Sequence, residues 1–204
     1  MPSNRTNVLA LKINYADCDN RIWREGQISE NSRICDLGYM ILASFDTLAN
    51  HLFKFCFGDR IFDLPDDFSE SEPEESVFCI KLKDLELEPG KKLQMVYDFG
   101  CDHIFDIEVT AVEPMRRGTG RAYPKILGGE GRGILEDIPA FETLEIIRET
   151  DKNGKSDHYY LCCGTHEMIW DYRNYLLDCD KHLLKGEIEQ IAEGYSYFEE
   201  FIEI

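Results

Sequence analysis

At 204 residues the chain is long enough to bury a substantial core, and 43% hydrophobic with 12% aromatic residues exclude wholesale disorder. Forty acidic against 22 basic residues give a formal charge of -18, which repels phosphate backbones and argues against general nucleic-acid binding. No apolar signal core opens the chain and no run approaches the roughly 18 apolar residues of a membrane span, so a cytoplasmic protein without membrane contact is expected.

Val8 to Tyr15 alternates as an amphipathic strand, Asp17 to Asn20 turns it, and Arg21 to Ile28 reads as its hairpin partner. Trp23 is expected at a sheet-helix interface, with Arg24 facing the other way. Ser32 reads as the N-cap of a helix from about Arg33 to Ala49, whose Ile34, Leu37, Ile41, Phe45 and Leu48 recur at helical spacing and form core. His51 follows between two elements, where surface or capping duty is the ordinary use. Leu52 to Phe57 and Arg60 to Phe62 form a hairpin around Gly58-Asp59. Six acids and no base from Pro65 to Ser76 mark a solvated loop whose spacing does not fit an EF-hand. Val77 to Leu82 reads as a short strand, and Leu85 to Glu88 as a helical turn ended by Pro89-Gly90.

The centre of the chain carries the chemistry. Leu93, Met95, Tyr97 and Phe99 alternate with Lys92, Gln94, Val96 and Asp98, and alternation resumes from Ile104 to Val112, which predicts an antiparallel hairpin. Its turn carries Asp98, Cys101, Asp102 and His103. Carboxylates beside an imidazole can bind a metal or perform acid/base chemistry, because each shifts the other's pKa; Asp is equally a common turn residue.

Arg116 to Arg132 is a basic island, with Arg116, Arg117, Arg121, Lys125 and Arg132 among five glycines and only Glu130 opposing. Such a segment can cradle an anion, although it fits neither a Walker loop nor the dinucleotide fingerprint. The competing reading is a mobile loop that pairs its arginines with the protein's own carboxylates. Glu136-Asp137 follow, and Pro139 opens a helix through Arg148 with Phe141, Leu144 and Ile147 inward. If the loop folds back over the hairpin, Glu136 and Asp137 approach Asp98 and Asp102, four carboxylates able to hold a divalent cation.

Beyond Lys152-Asn153-Gly154-Lys155 the chain reads as helical to its end, with His158 and Cys162 on one helical face. His158, Cys162 and His166 are metal candidates, weighed against buried thiols and exposed imidazoles. The eight cysteines contain no CxxC pair, so reduced, buried thiols are expected.

The word Tyr97-Asp98-Phe99-Gly100-Cys101-Asp102, preceded by Ile22-Trp23-Arg24 and followed by the glycine-rich segment that ends in Glu136-Asp137, resembles the plasmid pRiA4b ORF-3-like family. The resemblance covers roughly residues 7 to 150, with the helical tail included. Members are also labelled insertion-element passenger proteins, and no activity is established for them. The resemblance implies a compact α+β domain with an N-terminal strand pair, one long helix and a strand meander. Where the family continues Asp-Asp-Trp-Glu-His after Tyr-Asp-Phe-Gly, this chain has Cys101, Asp102, His103, Ile104 and Phe105. The family's Pro-Pro-Glu-Asp appears as Ile134-Leu135-Glu136-Asp137. An activity built on the family's histidine would thus be lost or rearranged here.

The expectation is therefore an α+β fold with an N-terminal strand pair, one long helix, an antiparallel strand meander and C-terminal helices. It forms a single domain over residues 1–204, with a core at 7–150 and a helical extension at 151–204. The first functional reading is a binding or interaction protein with a cleft between the Tyr97–Asp102 hairpin and the glycine-rich loop 116–133. Tyr97, Arg116, Arg117, Arg121 and Arg132 would contact a protein or small-molecule ligand. The second is a metal-dependent or acid/base hydrolase-like enzyme that acts on an anionic substrate through Asp98, Asp102, His103, Glu136 and Asp137. A third, nucleic-acid handling in a mobile element, rests on the family label alone. No motif names a cofactor.

Overall fold

The computed structural model describes residues 6–65, 75–116, 118–162 and 166–201. Strands β1 (Asn7–Tyr15), β2 (Trp23–Ser29), β3 (Phe53–Phe57), β4 (Arg60–Asp63), β5 (Lys92–Tyr97), β6 (His103–Pro114) and β7 (Lys125–Glu130) form one sheet in the order β4-β3-β5-β6-β1-β2-β7. Every neighbouring pair is antiparallel. Helices α1 (Ile34–Ser44), α2 (Ala140–Asn153) and α3 (Leu177–Tyr195) and a separate hairpin, β8 (Tyr159–Cys162) with β9 (His166–Ile169), complete an α+β fold.

The sheet follows from the period-two patterns. In β6, His103, Phe105, Ile107 and Val109 are buried while Asp106 and Thr110 are exposed, so one face meets the core and the other meets solvent. Helix α1 is apolar on nearly all sides, as expected of a helix enclosed by protein. It lies on the inner face, where a Cβ on Gly38 would stand 2.9 Å from the Phe53 ring. Tyr39 stacks on Tyr195, so α3 packs beyond it. Among the described residues no helix is long and apolar enough to cross a membrane.

Several local expectations are corrected. The first helix starts one residue after Arg33, whose backbone N–H donates to the Asp36 carboxylate at 2.7 Å, so Ser32 is not the N-cap. It stops at Ser44 rather than running to Ala49. Asp46 adopts a left-handed φ of 55°, and the N–H groups of Asp46 and Thr47 return to the carbonyls of Ala43 and Leu42. This Schellman closure leaves Leu48 outside, 48% exposed. Val77 to Leu82 is turn, with a lone bridge between Arg33 and Lys81 and a 3-10 turn at Leu82–Leu85 instead of a strand. Most of the acidic loop from Pro65 to Ser76 lies outside the described residues.

The largest correction concerns Trp23 and Arg24. They do face opposite ways, but Trp23 lies on the outer face near Glu130 and Lys12, and Arg24 is fully buried. The Arg24 guanidinium donates to the backbone carbonyls of Ser44, Trp23, Glu130, Gly131 and Arg132 at 2.8–2.9 Å. The rings of Phe45 and Tyr175 flank it at 4.8 and 3.8 Å. Five carbonyl dipoles and two aromatic faces substitute for water around this charge.

The glycine-rich segment expected as a loop is not all loop, since its second half is the edge strand β7, paired to β2. In α2, Phe141 is 62% exposed, while Thr143, Ile147 and Thr150 form the buried face. The C-terminal part is not wholly helical either, because β8 and β9 precede α3; Trp170 and Tyr172, just beyond the hairpin, are buried.

Candidate functional site

The site lies at the end of the sheet where the β5–β6 turn meets two other connections. The Asp98 N–H bonds to the Leu52 carbonyl at 3.0 Å, and β3 pairs with β5 in the register Phe53 to Tyr97. That register sets His51, two residues before the start of β3, beside Asp98. From the far edge the chain leaves β7, passes the C-terminal end of α1, where the Ile134 N–H donates to the Phe45 carbonyl at 3.1 Å, and delivers Glu136 and Asp137 to the same place.

His51 is the hub. Its Nδ1 stands 3.6 Å from Asp98 Oδ1, and its Nε2 stands 3.7 Å from Asp137 Oδ1 and 4.0 Å from Glu136 Oε2. His51, Asp98 and Asp137 each present one ligand atom within 4.8 Å of the others, and so do Asp98, Cys101 and His103. Asp98, Asp102 and Asp137 all hold left-handed backbone, with φ of 55°, 51° and 59°. Asp tolerates that conformation better than most residues, and such strain gathers at functional sites.

Glu136 is fixed from two sides. The Leu48 N–H donates to it at 2.6 Å and the Tyr97 hydroxyl lies 3.2 Å from the same oxygen. Burial raises its pKa, against the lowering effect of those two donors. Tyr97 is itself fully buried and bonds Asn50, so it positions Glu136 instead of facing an open cleft. His103 is not a turn residue but the first of β6, with no exposed surface, and burial lowers its pKa to about 4 while Asp98 opposes the shift. Its Nδ1 lies 2.7 Å from the Tyr15 hydroxyl, and its Nε2 is buried without a hydrogen-bond partner. Burial, then Asp98, pushes the Cys101 thiol up to about 11.

The other expected residues lie elsewhere. Asp102 is exposed and enters neither cluster. Arg132 pairs with Asp46 at 3.0 Å and donates to the Tyr160 hydroxyl, and Arg116 is exposed. Arg121 belongs to the 3-10 turn Gly120–Ala122, its side chain outside the described set, and Arg117 lies outside the described residues. Strand β7 is separated from β5 by β6, β1 and β2, so the wall opposite the hairpin turn is formed by Glu136-Asp137 and not by residues 116–133. Cys162 and His166 face each other across the β8–β9 register, whereas His158 precedes β8; the shared helical face expected for His158 and Cys162 does not form. The side chains of Cys162 and His166 are outside the described set.

His51 and Cys101 were missing from the sequence-based candidate list. Cys101 stood in the right turn, and a thiol two residues from a histidine is a usable signal. Nothing in spacing marks His51; only the pairing of Phe53 with Tyr97 does.

A family model described as plasmid pRiA4b ORF-3-like protein matches residues 7–178. A crystal structure of a protein of unknown function from Methanosarcina mazei Go1 is similar at a TM-score of 0.61 and 23% identity, covering 73% of this chain and 84% of that one. This likeness is one of fold. No curated protein matches the chain.

Proposed function

The chain belongs to the plasmid pRiA4b ORF-3-like family, and we propose that it acts there as a metal-dependent binding domain, with a divalent cation held by His51, Asp98 and Asp137. One observation carries the reading: an imidazole and two carboxylates from three separate stretches of chain offer ligand atoms within 4.8 Å of one another. This donor set suits a first-row divalent ion such as zinc. Asp98 is 9% exposed and His51 30%, while Asp137 is 80% exposed, so the ion would sit at a mouth with room for water or an anionic ligand. The formal charge of -18 favours a cation here and disfavours a nucleic-acid backbone. Under this reading residues 1–204 act as one domain, with Tyr195 of α3 donating to the His51 carbonyl and steadying that segment.

A hydrolytic role is the second reading, favoured by Glu136. A buried carboxylate with a raised pKa beside the ion is suited to take a proton from bound water.

Dialysed protein titrated with Zn2+, Mn2+ or Ca2+ tests the site. At a hundredfold excess over Kd one ion contributes roughly 3 kcal/mol, about 5–10 °C in Tm for a chain of this size. His51→Ala and Asp137→Asn are expected to diminish the shift and Asp102→Asn to leave it intact. An unshifted wild type, or equal loss in Asp102→Asn, refutes the reading.

A further inference from the structure

We propose a second, inner metal position formed by Asp98, Cys101 and His103, so that the Asp98 carboxylate bridges two divalent ions. The inference deepens the proposed function and rests on it, because Asp98 is common to both triads.

Three observations support it. Asp98, Cys101 and His103 each offer a ligand atom within 4.8 Å of the others, and this more buried cluster shares Asp98 with the one formed by His51 and Asp137. Ligation at about 2.0–2.3 Å sets ligand atoms roughly 3.3–3.8 Å apart, so side-chain adjustments of about an ångström complete the shell. His103 has no exposed surface, yet its Nε2 lacks any hydrogen-bond partner. An orphaned buried nitrogen costs about 1–3 kcal/mol, and a metal ion is one group that would satisfy it. Finally, the Tyr15 hydroxyl stands 2.7 Å from Nδ1. When Nδ1–H donates to that oxygen, Nε2 keeps its lone pair, the tautomer and second-shell orientation of a metal-bound histidine.

The donors differ between the two positions, and so does the chemistry. The inner set of thiol, imidazole and carboxylate is softer and selects zinc or cobalt over calcium or magnesium. On binding, the Cys101 S–H bond breaks, sulfur keeps the electron pair as the thiolate ligand, and the proton leaves to solvent. The outer set, with its exposed Asp137, is the exchangeable position. One carboxylate bridging two ions would set them at the separation of two-metal hydrolytic centres, roughly 3.5–4 Å.

Cobalt distinguishes the possibilities, because only thiolate ligation produces an intense near-ultraviolet charge-transfer band. Metal-free protein loaded with Co2+ and freed of excess is expected to retain two ions per chain and show the band. Cys101→Ser should retain one ion and lose the band, Asp137→Asn should retain one ion and keep it, and Asp98→Asn should lose both ions. A single ion without the band, lost in Asp137→Asn, overturns the inner site and leaves the outer reading standing. A single ion with the band, unaffected by Asp137→Asn, overturns both the bridge and the outer reading. Retention of no ion removes both positions.

Discussion

Two regions of this chain advertise chemistry, the acidic turn between β5 and β6 and the glycine- and arginine-rich stretch around β7, and the fold uses them in opposite ways. At the turn, side chains converge. Asp98, Glu136 and Asp137 meet His51, while His103 and Cys101 stand just inside. Around β7 the backbone is what matters. A Cβ on Gly129 would lie 2.8 Å from both the Arg24 side chain and the Trp23 carbonyl, and one on Gly131, at φ 76°, would lie 2.5 Å from the Arg21 carbonyl. The glycines make room for the buried Arg24 and for the crossing at the C-terminal end of α1, and Arg132 is engaged by Asp46 and Tyr160. Among the described residues this glycine-rich basic segment is thus used for packing, and it carries Glu136 and Asp137 to the site.

If that contrast is right, the largest effect comes from glycine. A Cβ at residue 133 would stand 2.2 Å from the Phe45 carbonyl oxygen and 2.7 Å from its carbon, both backbone atoms that cannot step aside cheaply. Gly133→Ala is expected to cost more than about 4 kcal/mol in chemical denaturation, or to yield no folded protein. A loss under about 1 kcal/mol would show that the crossing is pliable and the contrast false.

A medium effect is expected from pH at the other region. The His103 pKa falls from an ordinary 6.5 to about 4 on folding, so the neutral ring is favoured in the folded state. The stability this contributes is complete above pH 6.5 and is lost as pH falls from there through about 4. Metal-free protein should lose roughly 3 kcal/mol from this group between pH 7 and pH 4. Glu136, with its pKa raised by burial, acts in the opposite sense. The quantity to read is therefore the difference from His103→Phe, whose pH slope should be flatter by that amount. An identical slope would mean that His103 is not desolvated in solution.

The smallest effect sharpens the comparison most. Arg132→Ala removes a partly exposed ion pair with Asp46 and a contact to Tyr160, so a loss within about 1 kcal/mol is expected, with unchanged cation affinity. A tenfold fall in cation affinity would return the arginine-rich segment to the site.

Much of the site was legible in the chain order. Alternation around Tyr97 and Ile107 predicted the hairpin, and the acids at 98 and 137 were expected to meet. They do, though Asp102 faces solvent and His103 faces the core, because the turn spans Asp98 to Asp102 and the strand resumes one residue earlier than expected. His51 escaped because its neighbours in space come from the strand pairing of β3 with β5 and from a crossing after β7, and neither leaves a trace in local spacing.

Periodicity alone determined the strands β1, β2, β3, β5 and β6 and the presence of α1, since side-chain alternation and helical spacing are properties of neighbouring residues. It could not choose the phase. Alternation sets Trp23, Glu25 and Gln27 against Arg24, Gly26 and Ile28, and only the carbonyls gathered from Ser44 and residues 130–132 turn the arginine inward. In the same way the meeting of His51 with three carboxylates was decided by tertiary structure, because ion-pair and ligand geometry depends on distances of a few ångströms between segments far apart in the chain.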